Sequence, residues 1–127
     1  MSDKTIAQKL MIKEGRSVLF LNAPRGYKSA LGALPKNVTV AKALTQPADF
    51  IQVFVANHRE LEQQLPKLIA ALKPDGMVWI THHKGMSKTK TDINRDSINA
   101  YAHTIGREGV AMISIDDDWS ALRLKVA

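Results

Sequence analysis

Four histidines, a run of three aspartates and eighteen lysines and arginines are the side chains of this 127-residue chain with the clearest capacity for chemistry. His82 and His83 stand together at the end of one apolar run, and Asp116, Asp117 and Asp118 follow another. A histidine tuned by a neighbouring carboxylate can act as a general base near neutral pH, so an Asp–His pair is the acid–base arrangement on offer. Successive strand residues point to opposite faces, so at most one of the two histidines can turn toward the acids. The same residues have a purely structural use, in which the acids cap a hairpin turn and the histidines form a polar strand end. His58, His82, His83 and His103 lack HxH or HxxxH spacing, and the chain has no cysteine to supply a thiolate, so no metal site is expected. Ser29 lies in neither a GxSxG elbow nor a GxxxxGK[ST] loop. No catalytic set is assigned.

Charge is the second resource. The net charge is +6, and it is unevenly spread. Residues 1–48 hold eight basic and two acidic side chains, whereas residues 49–127 hold ten of each. An anionic partner is therefore favoured. The absence of cysteine excludes a disulfide scaffold and points to a reducing compartment, the cytoplasm. No apolar run reaches the roughly 18 residues of a membrane span, so no membrane association is expected.

These side chains must be held by one domain spanning 1–127, since the length leaves no room for a second and no linker or repeat interrupts it. Residues 1–15 form an N-terminal helical segment, with a helix from Thr5 to Glu14 stopped at Gly15. Ser17 to Leu21 reads as a strand buried on both faces, followed by turn residues Asn22, Pro24 and Gly26. Tyr27, Ala30, Leu31 and Leu34 recur at helical spacing before Pro35. Val38 to Val40 is a short strand and Phe50 to Ala56 a longer one. Asn57 and Glu60 then cap a helix with a stripe at Leu61, Leu65, Leu68, Ile69 and Leu72, kinked or restarted at Pro66. Pro74-Asp75-Gly76 is a turn before the strand Met77 to Ile80. His82 to Lys90 is a basic loop. Thr91 or Asp92 caps a helix carrying Ile98, Tyr101, Ala102 and Ile105, which ends at Gly106. Val110 to Ile115 and Ala121 to Val126 are joined by five residues, too few for a parallel crossover, so that pair is antiparallel. The order predicts an α/β three-layer sandwich with a mostly parallel, Rossmann-like sheet and a C-terminal antiparallel hairpin.

In open sheets of this class ligands lie outside the carboxyl ends of the strands. The candidate ligand-binding residues on that edge are Asn22, Arg25, Gly26 and Lys28 after the first strand, Asn57 and His58 after the third, His82, His83 and Lys84 after the next, and Asp117 in the hairpin turn. Arg59, Lys88 and Lys90 lie in the same loops. Basic loops meeting beside helix N-termini suit a phosphate or nucleotide; the alternative is a set of solvated loop charges. Trp79 belongs to a core strand, and Trp119 covers the sheet edge or lines the crevice.

The stretch Val18 to Gly26, the turn Leu72-Lys73-Pro74-Asp75-Gly76 and the terminal hairpin with Trp119-Ser120-Ala121-Leu122-Arg123-Leu124 together resemble a small S-adenosylmethionine methyltransferase core lacking one helix–strand unit. Over nearly its whole length the chain is similar to a bacterial family of short proteins described as a domain of unknown function. The resemblance to that family implies a fold and no established activity. The methyltransferase resemblance would bring S-adenosylmethionine as cofactor, but the departures that follow lead to the expectation that it is not bound and that the cofactor is unknown. The turn Asn22-Ala23-Pro24-Arg25-Gly26 departs from the methyltransferase GxGxG pattern by keeping one glycine, and Lys42 stands about where an acid would bind ribose. These departures lead to an expectation of a non-catalytic binding module for a small nucleotide- or phosphate-type anion at the basic carboxyl edge. The alternatives are an S-adenosylmethionine-dependent methyltransferase or other small enzyme, and a basic protein touching nucleic acid through charge alone.

Overall fold

A computed structural model describes every residue except 1–4, 42–46, 85–92, 117 and 127, and the side chains of Lys28, Asp75 and Val126 also lie outside the description. Helix α1 (Ile6–Lys9) is held by a reciprocal cap, with Thr5 Oγ1 accepting from Gln8 N at 3.2 Å and Gln8 Oε1 accepting from Thr5 N at 2.9 Å. Met11 turns left-handed at φ 64, which ends this helix well before Gly15 and corrects the longer helix expected to Glu14. Strand β1 (Ser17–Leu21) leads to helix α2 (Tyr27–Leu31). That helix ends at Gly32 rather than near Pro35, because a Cβ there would stand 2.8 Å from Cβ of Thr5 and φ is 92.

Strand β2 (Thr39–Ala41) and strand β3 (Ala48–Phe54) precede helix α3 (His58–Ala71), whose cap is Asn57 Oδ1 accepting from Glu60 N at 2.9 Å. Pro66 sits inside α3 on an exposed turn, and the helix runs through it. Strand β4 (Leu72–His83) absorbs Pro74-Asp75-Gly76, which were expected as a separate turn. Its register on β3 jumps from Ala48↔Leu72 to Phe50↔Met77, and its other neighbour begins only at Val78. The missing proline donor is tolerated because that stretch has no complete ladder to disrupt. Helix α4 (Arg95–Thr104) is capped by Asn94, with Ser97 completing the box; Thr91 and Asp92, the expected caps, lie outside the described residues. Strands β5 (Arg107–Ser114) and β6 (Trp119–Val126) close the chain.

The six strands form one sheet in the order β2-β1-β3-β4-β6-β5. β1 to β4 are parallel, and β6 runs antiparallel to both β4 and β5, so the expected hairpin is present. Alternation along the strands divides the core in two. Leu19, Ile51, Val53, Val78, Ile80, Leu122 and Leu124 meet Leu61, Leu65 and Leu68 of α3 and Ile98 and Ala102 of α4. Val18, Phe50, Phe54, Trp79 and Ala121 meet Ala7 and Leu10 near α1 and Tyr27 and Leu31 of α2. Trp79 is a packing residue, as expected, and its Nε1 donates to the Leu10 carbonyl at 3.1 Å. The sheet is therefore sandwiched between two helical layers. The chain passes from β1 to β2 on one side and returns to β3 on the other, so the order reverses between the carboxyl ends of β1 and β3. Among the described residues no helix is long and apolar enough to cross a membrane.

Candidate functional site

The reversal point is roofed by the turn after β1. Asn22 takes a left-handed conformation at φ 59, and its Nδ2 donates to the Phe54 carbonyl at 3.4 Å, tying the turn to the end of β3. Tyr27 N donates to the Pro24 carbonyl at 3.0 Å, which folds Arg25 and Gly26 outward; both are exposed. Gly26 has φ 84, a conformation that favours glycine, and a Cβ built there would meet nothing within 4 Å. The result is an open shelf of backbone with one guanidinium beside it. The side chain of Lys28 lies outside the described residues, as do Lys42, Lys88, Lys90 and Asp117.

The other candidates are engaged locally. Asn57 caps α3, and Glu60 Oε2 accepts from Ala56 N at 2.7 Å. His58 Nδ1 lies 2.8 Å from Glu62 Oε1, and its ring meets Tyr101 of α4 edge-on at 5.9 Å, so it is drawn along the helical layer. Lys84 donates through Nζ to Ser114 Oγ at 2.7 Å and through its backbone to the Asp118 carbonyl at 2.8 Å. Asn57, His58 and Lys84 are thus each engaged locally, and Arg25 is exposed in the turn after β1.

His82 and His83 fall on opposite faces. His83 stacks on Trp119 with ring centroids 3.9 Å apart, and Trp119 meets Phe54 edge-on at 5.0 Å. His82 is buried; its Nδ1 lies 3.1 Å from the His83 carbonyl, and among the described residues its buried Nε2 has no hydrogen-bond partner. Burial holds its pKa below the ordinary histidine value, the His83 carbonyl opposes that shift, and the charge of His83 adds to it. Neither histidine bonds to Asp116, whose Oδ1 instead accepts from the backbone of Asp118 and Trp119 at 2.8 and 2.9 Å. Asp116 is the turn cap of the structural alternative rather than a partner tuning a base. Trp119 packs against the end of the sheet.

One buried arrangement has little signature in the sequence. Tyr27 OH donates to Gln52 Oε1 at 2.8 Å, and Gln52 Nε2 donates to Thr81 Oγ1 at 2.8 Å, beneath the shelf. Burial pushes the Tyr27 pKa up to about 12, and the charge of Asp116 adds to the shift. Tyr27 therefore stays protonated and donates. The available signal was a lone glutamine inside the apolar run Phe50 to Ala56.

No family model and no curated protein matches the chain. Solved structures do. A methyltransferase from Aquifex aeolicus, described as SAM-dependent, aligns with a TM-score of 0.64 over 94% of this chain and 87% of its own, at 15% identity. A ribosomal protein L11 methylase from Lactobacillus delbrueckii aligns at 0.62 over 94% and 74%, at 14% identity. A tRNA methyltransferase of B. subtilis aligns at 0.57 over 96% and 65%, at 11% identity. Each of these three is named as a methyltransferase or methylase. The expected non-catalytic module for a small anion is corrected on that ground: its nearest support was the departure of the β1 turn from the glycine-rich pattern, and the scaffold around that turn is shared with these enzymes. The chain has a mixed α/β, methyltransferase-like Rossmann-type fold.

Proposed function

We propose that the chain is a small S-adenosylmethionine-dependent methyltransferase working above the carboxyl ends of β1 and β3. The observation that carries this reading is the open shelf at Gly26, which stands at the order reversal of a fold shared with proteins described as SAM-dependent. The residues present fit the amino-acid end of that cofactor. Arg25 is exposed and offers a planar fork to a carboxylate, and Gly26 leaves the backbone open to close approach. They offer less to the ribose, because the sequence holds no acid from Lys42 to Pro47. When bound, the cofactor supplies an electrophilic methyl group on a sulfonium. The chain's own part is to seat it on the turn, held by Asn22 to the end of β3, over a floor of Tyr27, Phe54 and Trp119 that limits water. A net charge of +6 favours an anionic methyl acceptor. The lack of cysteine supports a reducing compartment, and we place the protein in the cytoplasm.

Titration calorimetry with S-adenosylmethionine and S-adenosylhomocysteine tests the reading. Both should bind the wild-type chain. Arg25→Ala should weaken both at least tenfold, since a hydrogen bond to a charged group contributes about 1.5–3 kcal/mol. Absence of binding by either ligand at millimolar concentration sinks the proposal.

A further inference from the structure

The second half of β6 alternates in side-chain chemistry as well as in direction. Ala121, Arg123 and Lys125 stand on the face that carries Trp79, and Leu122 and Leu124 on the other. The helical layer over the first face is short. Helix α1 has four residues, and just beyond it Met11 Sδ lies 3.5 Å from Arg123 Nη1. At the amino ends of the parallel strands the sheet also parts: the β4–β6 ladder begins at Val78↔Leu124, so Pro74 to Met77 have no partner in β6. Gly76 lies so close to its own strand that a Cβ would stand 2.7 Å from the Leu72 side chain. The parting leaves a cleft of about 370 Å³, whose walls include Pro74, Gly76 and Met77 of β4 and Arg107, Arg123 and Lys125 of the hairpin.

Three cations at this end of the sheet have acids of their own. Asp49 lies 3.4 Å from both Arg16 and Lys73, and Glu108 lies 3.4 Å from Lys125. Arg107 and Arg123 do not. Both are half-buried, and among the described residues neither has a carboxylate within ion-pair distance. Arg107 makes no side-chain hydrogen bond among those residues, and Arg123 meets the weak acceptor Met11 Sδ alone. A guanidinium keeps its charge and presents five N–H donors in a rigid fork, so two of them held half-buried in one cleft without an acid are arranged for an anion. We propose that Arg107 and Arg123 form a binding site for the terminal phosphate of a small phosphorylated ligand. A terminal phosphate brings three acceptor oxygens and nearly two charges, enough for both forks, whereas a carboxylate has two oxygens and suits one. The cleft lies about 20 Å from the carboxyl end of β4, at about 3.3 Å per residue from Met77 to His83. It is therefore separate from the shelf and independent of the proposed activity.

Titration calorimetry with inorganic pyrophosphate, in a phosphate-free buffer of low ionic strength, tests the site. The wild-type chain should bind, and Arg107→Gln and Arg123→Gln should each weaken binding roughly tenfold or more. Lys67→Gln, which removes an equal charge from the exposed face of α3, should leave the affinity as it was. Should Arg123→Gln lose its far-UV circular dichroism, Arg107→Gln alone decides, since that side chain bonds to nothing else among the described residues. No binding at millimolar pyrophosphate overturns the proposal, and so do folded arginine variants that bind as the wild type does. A Lys67 variant weakened as much as they are overturns it in favour of diffuse charge. Tighter binding of a short oligonucleotide without a terminal phosphate, lost in the same arginine variants, overturns it in favour of a nucleic-acid backbone.

Discussion

Protonating His82 would place a donor on Nε2, a buried atom with no hydrogen-bond partner among the described residues, while Nδ1 already faces the His83 carbonyl at 3.1 Å. The neutral ring is therefore favoured in the folded chain, and the unfolded chain binds the extra proton first. With the folded pKa below the ordinary 6.5, stability is fully present above that value and is lost as pH falls through and below it. Asp49 acts in a separate, more acidic window: the Ser17 backbone N–H above all, with Ser17 Oγ and Lys73, holds its pKa below 3.8, so its contribution is lost only as pH falls beneath that value. Melting temperatures taken from about pH 8 down to about pH 5 should fall for the wild type and stay nearly level for His82→Phe. A flat wild-type profile would refute this assignment. The sequence placed His82 and His83 correctly at a strand end, because alternation is a local property. It could not show that Asp116 spends its carboxylate on its own turn, since a run of three acids suits a cap and a base partner equally.

At the scale of elements, Tyr27, Gln52 and Thr81 join α2, β3 and β4 in one buried line of hydrogen bonds. Removing one member strands its partner, which is worse than removing both. Tyr27→Phe leaves Gln52 Oε1 buried without its donor and should destabilise the chain by about 1–3 kcal/mol in urea unfolding. Tyr27→Phe combined with Gln52→Leu should cost less than the sum of the two single changes, as expected for directly coupled residues. Strict additivity, or a Phe variant as stable as the wild type, would count against the coupling. The order of helices and strands was legible because buried strands here are continuous apolar runs and the longer helices carry periodic stripes. Helix ends were less so. Met11 stops α1 without being a glycine, and Gly32 stops α2 because Thr5, distant in sequence, occupies the space a side chain would need. Pro74-Asp75-Gly76 has the composition of a turn, and only the late start of the β4–β6 ladder makes room for it within a strand. Gln52 looked like one polar residue in an apolar run, and its partner in α2 could not be inferred from period.

For the molecule as a whole, each central strand serves both cores. Ile51 and Val53 of β3 pack toward α3 and α4, while Phe50 and Phe54 pack toward α1 and α2. Neither helical layer can leave without exposing one face of a sheet whose other face is still packed, and the sheet cannot open without dissolving both layers. This predicts a single cooperative transition for the residues outside the termini, as small single domains usually show. The two tryptophans make the claim checkable. Trp79 and Trp119 both lie in the α1/α2 face, so their fluorescence reports one core, whereas far-UV circular dichroism is dominated by α3 and α4 on the other, which together hold most of the helical residues. The two signals should trace one urea midpoint with one slope, of about 1–3 kcal/mol per molar urea for a chain of this size. Midpoints that separate would mean that one layer melts first over a persistent sheet. In that case the shelf above β1 and β3, which depends on α2 for its floor, would have a stability of its own, and cofactor binding should then raise the fluorescence midpoint alone rather than both.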